Sequence, residues 1–513
     1  MIRRLGLRFA DQKRSHDDFS AFRIFEFRKC ENFSNRAASE RLFKADYFQI
    51  RSTMQLKEAS MDELFPYENL CAKFLTRPED LIDDSFKRQF CFFYVKRVEE
   101  MRARILERAQ NEIDKNMKIT KLVGLKPNIN VVIVGTIFKH MKMRPSILRD
   151  MAKEDDEQEI TLPDPLIADR LVAEEDYLEF EDGQQMVKLE GNIDKNLYVT
   201  GCVVGLYGYR MEGDVFHVLQ TVTPSIKPQA EIPPCDEDRY IAFISGLQIT
   251  GKIELDSDMR KALASVQSFL CNEFGEFCDE NGKPYKIERL VIAGESIGVT
   301  EEGQQYSTSA RYLTRNEAVP CFGAVQQLDA FISTLTGAIP VDLMPGPSDP
   351  APKMYPQQPM HKACFPSSSH HGKMINLCTN PHLFRMGKLM FMGTSGQNVT
   401  DLMRLTTISS NIETHEHFLK WQHIAPSVPD TIEGFPYQRD MLVIEDTPHV
   451  LFCGSQQRFE TKKIDIFGDA QVQIIHLPRF SESRTIVLYN LRTQRAREIS
   501  FVTPGFTPLS ELR

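Results

Sequence analysis

The sequence predicts a chain of mixed α/β and β class: a helix, then a small all-β barrel, then a larger layered α/β domain. Three observations carry this. An apolar stripe at helical spacing runs from Phe90 to Ile113. About five short strands crowd into the region around residues 125–230. From Arg239 onward strands and helices alternate. At 513 residues the chain is too long for one small core, so two or three domains are expected.

Composition narrows the class of function. A hydrophobic fraction of 42% with 26% charged residues is ordinary for a soluble globular protein. No run of about 18 apolar residues predicts a membrane span. The N-terminus lacks an apolar core followed by a small-residue cleavage site, so secretion is not expected and the Asn398-Val399-Thr400 match carries no glycan reading. The eleven cysteines are scattered from Cys30 to Cys453 without a C-x-x-C pair. That argues against a zinc ribbon or an iron–sulfur cluster held by this chain alone. It suits reduced thiols of cytosol or nucleus. A net charge of −9 argues against a wide basic face gripping a phosphate backbone, though local patches stay open.

Residues 1–60, rich in Arg and Phe without an apolar period, read as a disordered tail or an over-extended gene model starting at Met54 or Met61. Asp11, Asp17, Asp18 and Glu26 count against a transit peptide. Residues 61–120 are expected to be a helical segment. Its stripe is Phe90, Tyr94, Val98, Met101, Ile105, Ala109 and Ile113, with Asp84 or Ser85 as cap. Over 121–235 come a strand at 130–138, a hairpin at 177–191 around Asp182-Gly183, and strands at 198–209 and 215–223 joined at Glu212-Gly213. This is a barrel of the oligonucleotide-binding type. Tyr207 and Tyr209 lie on it without a basic series around them, so single-strand binding is weakly supported. Over 236–513 strands are expected at 240–246, 288–294, 340–344, 388–393, 449–454, 472–477 and 485–491, with helices at 259–274 and 324–335.

In layered α/β domains ligands gather at the carboxyl ends of strands. The third strand runs into Pro345-Gly346-Pro347-Ser348-Asp349, the outline of a metal-dependent phosphoesterase loop. Such an enzyme places a bridging Asp, an Asn and several His around two metal ions about 3.5–4 Å apart. Here Gly246 and Gln248 stand where Asp-x-His is needed, and Glu295 where an Asp would bridge. Pro347 and Ser348 replace Asn-His, Ser395 replaces a His, and Ser455 and Gln457 replace the pair in Gly-His-x-His. Glu295 and Asp349 alone cannot hold two ions. The site is expected to be degenerate, without metal or cofactor. His370 and His371 read as a solvated loop. His415 and His417, two apart, do not share a helix face. The Gly393–Asn398 turn lacks a phosphate-binding Lys and reads as a structural turn.

With these pieces in order the chain resembles the B, or regulatory, subunits of replicative DNA polymerase delta. The residues carrying this are VVIVGTIFKHM (131–141), RPSILRDM (144–151), SGLQ (245–248), PVDLMPGPSDP (340–350), YPQQPMHKACFP (355–366), MGTSGQNVTDL (392–402), HVLFCGSQQRF (449–459), and LRT and ISF (491–493, 499–501). The resemblance covers roughly residues 62–505; residues 1–60 have no counterpart, and Pro347-Ser348 is this chain's own version of the loop.

It implies an oligonucleotide-binding barrel docked on an inactive calcineurin-like phosphoesterase sandwich, preceded by a helix. It further implies a nuclear, non-catalytic scaffold for replication and repair synthesis. Its implied partners are the cysteine-rich C-terminal domain of the catalytic subunit and a third, clamp-linked subunit, with a translesion polymerase catalytic subunit as a further one. DNA contact would be at most indirect or weak, no membrane is involved, and the iron–sulfur cluster belongs to the catalytic chain. Two other readings stay in play: an active metal-dependent nuclease, which needs a histidine cluster elsewhere in the fold, and a single-strand binding module, which needs a basic groove.

Overall fold

The structure, a computed structural model, describes residues 65–81, 89–115, 117–144, 170–232, 235–251, 257–271, 278, 282–298, 322–468 and 470–501. The tail expected over residues 1–60 and the expected caps Asp84 and Ser85 lie outside them. Residues 65–81, read from sequence as part of a helical segment, hold a three-residue strand, β1 (Tyr67–Asn69), and two short 3-10 turns. β1 is too short to show an alternating pattern of its own and exists by pairing with a distant strand.

Helix α1 (Cys91–Glu112) forms where the apolar stripe predicts it, but its buried face is turned at the N-terminal end. The buried side chains are Phe93, Arg97, Met101, Ile105 and Ala109, at four-residue steps. Phe90 is 48% exposed. Arg97 causes the turn. Its guanidinium is fully buried, with Nε donating to Asp440 Oδ2 at 2.5 Å. Nη1 donates to the carbonyls of Gly201 (2.8 Å) and Pro426 (2.7 Å), and Nη2 to Val428 O (2.7 Å). A planar fork of donors facing a carboxylate and three carbonyls outweighs the apolar alternative on that face. His423 Nε2 reaches the same carboxylate oxygen, Asp440 Oδ2, at 2.9 Å.

Five strands close into a barrel in the order β2-β3-β4-β6-β5: β2 (Val131–His140), β3 (Tyr177–Glu181), β4 (Met186–Gly191), β5 (Val203–Arg210) and β6 (Val215–Val222). All neighbours are antiparallel except β4 and β6. The β3–β4 hairpin turns at Asp182, whose Oδ1 accepts from the backbone of Gln184 and Gln185 (3.1 Å each). β5 starts at Val203 rather than at Tyr198, because the chain bends at Gly201 (φ 97°) to present its carbonyl to Arg97.

The rest is two stacked six-stranded sheets. One runs β1-β11-β12-β13-β15-β14, from β11 (His382–Met386), β12 (Leu389–Thr394), β13 (Val450–Gln456), β14 (Glu460–Ile466) and β15 (Ala470–Pro478). The other runs β10-β9-β8-β7-β16-β17, from β7 (Tyr240–Ile244), β8 (Ile287–Ala293), β9 (Val341–Met344), β10 (Ile375–Leu377), β16 (Thr485–Asn490) and β17 (Arg495–Ser500). β7, β9, β12 and β13 are buried at every residue, as parallel central strands covered on both faces must be. Between the sheets Phe243 meets Phe452 (centroids 5.0 Å) and Phe384 stacks on Phe391 (4.9 Å).

Helices α2 (Ser257–Cys271) and α3 (Phe322–Thr336) cover the outer face of the second sheet. Helices α4 (Gln397–Leu405) and α5 (Asn411–Trp421) lie between the first sheet and the barrel. Leu419 of α5 joins the sheet core, while Phe418 and Trp421 join the barrel core, with Trp421 5.8 Å from Tyr198. The buried Lys139 of β2 adds a hydrogen bond to Leu405 O (2.6 Å). Among the described residues no helix is long and apolar enough to cross a membrane.

Arg97→Ala would leave a buried carboxylate and three carbonyls without their donor. We expect it to lose about 3–5 kcal/mol in urea denaturation at pH 7; a loss under about 1 kcal/mol would show that the pair does not hold the parts together.

Candidate functional site

The carboxyl ends of β7, β8, β9, β12 and β13 meet at one end of the sandwich. Ser245 Oγ donates to Ala293 O (2.9 Å) and accepts from Ser455 N (2.9 Å), joining three of them. Gly246 N donates to Gly294 O and Gln248 N to Glu295 O, both at 3.0 Å. A Cβ placed on Gly294 would lie 2.5 Å from Ser395 Cβ and 3.1 Å from Gly346 Cα. The predicted residues are therefore gathered, apart from Gln457, which is exposed just past the end of β13.

A cleft of about 760 Å³ opens there, lined by Gln248, Glu295, Pro347, Ser348 and Asp349 together with Lys353, Arg479 and Glu482. Arg479 was not reached from sequence. The chain leaving β15 runs beside the end of β7, with Phe480 N donating to Ser245 O (2.8 Å) and Arg479 N to Gln456 O (3.0 Å). This lays the Arg479 side chain across Gly246: a Cβ at 246 would sit 2.9 Å from both Cα and Cγ of Arg479. Arg479 Nε then donates to Glu295 Oε2 at 3.2 Å, and Gln248 Nε2 lies 3.4 Å from the same oxygen. A fixed guanidinium thus supplies the positive charge that Glu295 faces.

Asp349 faces inward. Its carboxylate accepts from the backbone of Gly346 (2.8 Å), Ile297 (2.9 Å) and Ser296 (3.3 Å), so both oxygens brace the loop. Burial outweighs these donors and pushes the Asp349 carboxyl up to about 6. Ser348 Oγ donates to Ile297 O (2.5 Å). Ser395 sits in a neutral network in which Asn380 Nδ2 reaches Ser395 Oγ and Gln357 Oε1, each at 2.7 Å. Ser455 Oγ is 3.4 Å from Ser245 Oγ. Gln248 (φ 48°), Glu295 (φ 51°) and Ser455 (φ 57°) all take left-handed backbone. That conformation costs about 1–2 kcal/mol per L-residue. The three turns gather at one end of the sandwich, with Gln248 bonded to Glu295 and Ser455 beside Ser245.

The histidines weighed from sequence lie elsewhere. His370 is exposed, and the Gly393–Asn398 turn has Gly396 (φ 107°) before α4. His415 is fully buried, its Nδ1 2.8 Å from Asn411 O and 3.3 Å from His476 Nε2. Burial pushes His415 down to about 3 and His476 to about 4, so both are neutral near pH 7. Applying the strand-end rule to β15 as well would have found Arg479, two residues beyond Leu477.

Comparison with known proteins agrees with this architecture. Residues 89–221, from α1 to β6, match the family described as DNA polymerase delta subunit OB-fold domain. Residues 241–461 match the family described as the B subunit of DNA polymerase alpha/epsilon. The chain is 33% identical over 446 residues to the probable DNA polymerase delta small subunit of Caenorhabditis elegans, covering 85% of this chain and 97% of that one. It is 32% identical over 419 residues to the DNA polymerase delta small subunit of Oryza sativa subsp. japonica, covering 81% and 94%. A more distant relative, the DNA polymerase II small subunit of Pyrococcus horikoshii, is 21% identical over 361 residues, covering 69% of this chain and 52% of that one.

Gly246→Asp puts a carboxylate back at the first strand end, against the Arg479 backbone. It should lose about 2 kcal/mol of stability and show no manganese-dependent phosphodiester cleavage; cleavage by the folded variant would mean that the cleft still accepts metal. Asp349, with a folded pKa of about 6 against about 3.9 unfolded, contributes stability at low pH that is lost as pH rises through 6. Urea denaturation at pH 5 and pH 8 should show about 1 kcal/mol more loss on raising pH in wild type than in Asp349→Asn. Equal losses would place the group in the ordinary carboxylate range.

Proposed function

The chain belongs to the family of DNA polymerase delta small subunits, accessory subunits of the polymerase complex, and on that premise we propose that it is a scaffold built on a dead phosphoesterase. The two-sheet sandwich is read as a calcineurin-like phosphoesterase fold whose metal centre is lost. The observation that carries this is Arg479: it fills the space beside Gly246 and pairs with Glu295, the one cleft carboxylate in bridging position. A guanidinium in that place is incompatible with two divalent ions about 4 Å apart sharing the same carboxylate.

In this reading the chain holds the cysteine-rich C-terminal domain of the catalytic subunit and receives the third subunit, acting in the nucleus during replication and repair synthesis. A translesion polymerase catalytic subunit is a further partner for the same docking. The rigid attachment of barrel to sandwich through Arg97 and α5 suits a platform that presents both to partners in one fixed geometry. Any DNA contact is indirect, in keeping with the net charge of −9.

Co-expression with the C-terminal domain of the polymerase delta catalytic subunit, beside a manganese-dependent nuclease assay, tests both halves. A stoichiometric complex surviving gel filtration, with no cleavage, is expected. Cleavage that disappears in Glu295→Gln, with no complex formed, would overturn the scaffold and restore the enzyme.

A further inference from the structure

Outside the cleft lining, two thiols and an imidazole converge inside the protein. Cys71 follows β1, Cys378 follows β10, and His382 opens β11. Their ligand atoms all lie within 4.8 Å of one another, and the residues are 5%, 0% and 0% exposed. The register of β1 on β11, with Asn69 opposite Phe384, carries Cys71 past the strand end to face His382. Cys71 Sγ lies 2.8 Å from His382 Nδ1. From Cys378 to His382 the spacing is C-x3-H on one loop.

The surroundings fit a ligating histidine. His382 Nε2 is 3.2 Å from Asp342 Oδ2; an Nε2–H donating to that carboxylate would orient the ring with Nδ1 toward the thiols for a metal. Asp342 is itself fixed by Arg289 Nη1 (2.6 Å), Asn376 Nδ2 (2.8 Å) and Tyr67 OH (2.9 Å). We propose that Cys71, Cys378 and His382 form a structural zinc site that clamps the N-terminal strand onto the sandwich.

The charges balance. Two cysteines bind as thiolates after losing their protons to solvent, and cancel the two charges of zinc. Arg289 and Asp342 cancel each other, so no net charge is buried. Zinc–sulfur and zinc–nitrogen bonds of about 2.3 and 2.0 Å set tetrahedral ligands about 3.5–3.8 Å apart. Cys71 and His382 need to separate by less than about 1 Å to admit the ion, a side-chain rotation. None of this depends on the polymerase reading.

The test is metal analysis of the full chain expressed alone in zinc-containing medium, dialysed against metal-free buffer, with Cys378→Ala and His382→Ala beside it. One zinc per chain is expected in wild type and under about half an equivalent in both variants. Cobalt titration of the chelator-stripped wild type should produce a thiolate-to-metal charge-transfer band, and stripping should lower Tm. If the variants fail to fold, the wild-type zinc content and cobalt band decide alone. Folded wild type with less than half an equivalent, full zinc in either variant, another ion in its place, or a cobalt spectrum without the thiolate band each overturns the site.

Discussion

The arrangement of the whole molecule hangs on one buried ion pair. Arg97 reaches from α1 to Asp440 and to carbonyls of the barrel (Gly201) and of the segment after α5 (Pro426, Val428). An apolar residue at 97 could bury its surface against any of these parts, but only a forked donor fixes where all three sit at once. Such a pair adds little net stability over a hydrophobic replacement, since both charges must leave water. What it adds here is geometry, and it explains why the buried face of the helix departs from its own apolar stripe.

The strand-end cluster is braced by its own backbone and side chains. Gln248, Glu295 and Ser455 on these turns all take left-handed backbone. Strain of this kind persists only where the surroundings over-determine it, and here Ser245, Gly294 and Gly346 pack the turns into one another. Hydroxyls, amides and the Arg479 guanidinium at the strand ends bond to one another and to Glu295. The cleft and the Arg97 junction serve the same end: both hold separate chain segments in a single arrangement.

Much of the fold was legible in local windows. The apolar period from Phe90 to Ile113, the Asp182-Gly183 hairpin and the unbroken apolar strands of the sandwich each follow from a few neighbouring residues. β14 and β17, reading ETKKIDI and RAREIS, were missed because they lie at sheet edges, where charge rather than alternation is favoured. The gathering of the positions from Gly246 to Ser455 was legible because the strand ends were, but the Arg479–Glu295 pair across them was not.

By itself, then, the sequence determined the mixed α/β and β class and the places where the central strands end. Tertiary structure alone decided that Arg479 covers Gly246, that Arg97 turns inward to an aspartate 343 residues away, and that Cys71 meets Cys378 and His382. The physical reason is range. Periodicity and turn chemistry act over a few residues, whereas a buried polar group is satisfied by whichever distant backbone the finished packing brings beside it.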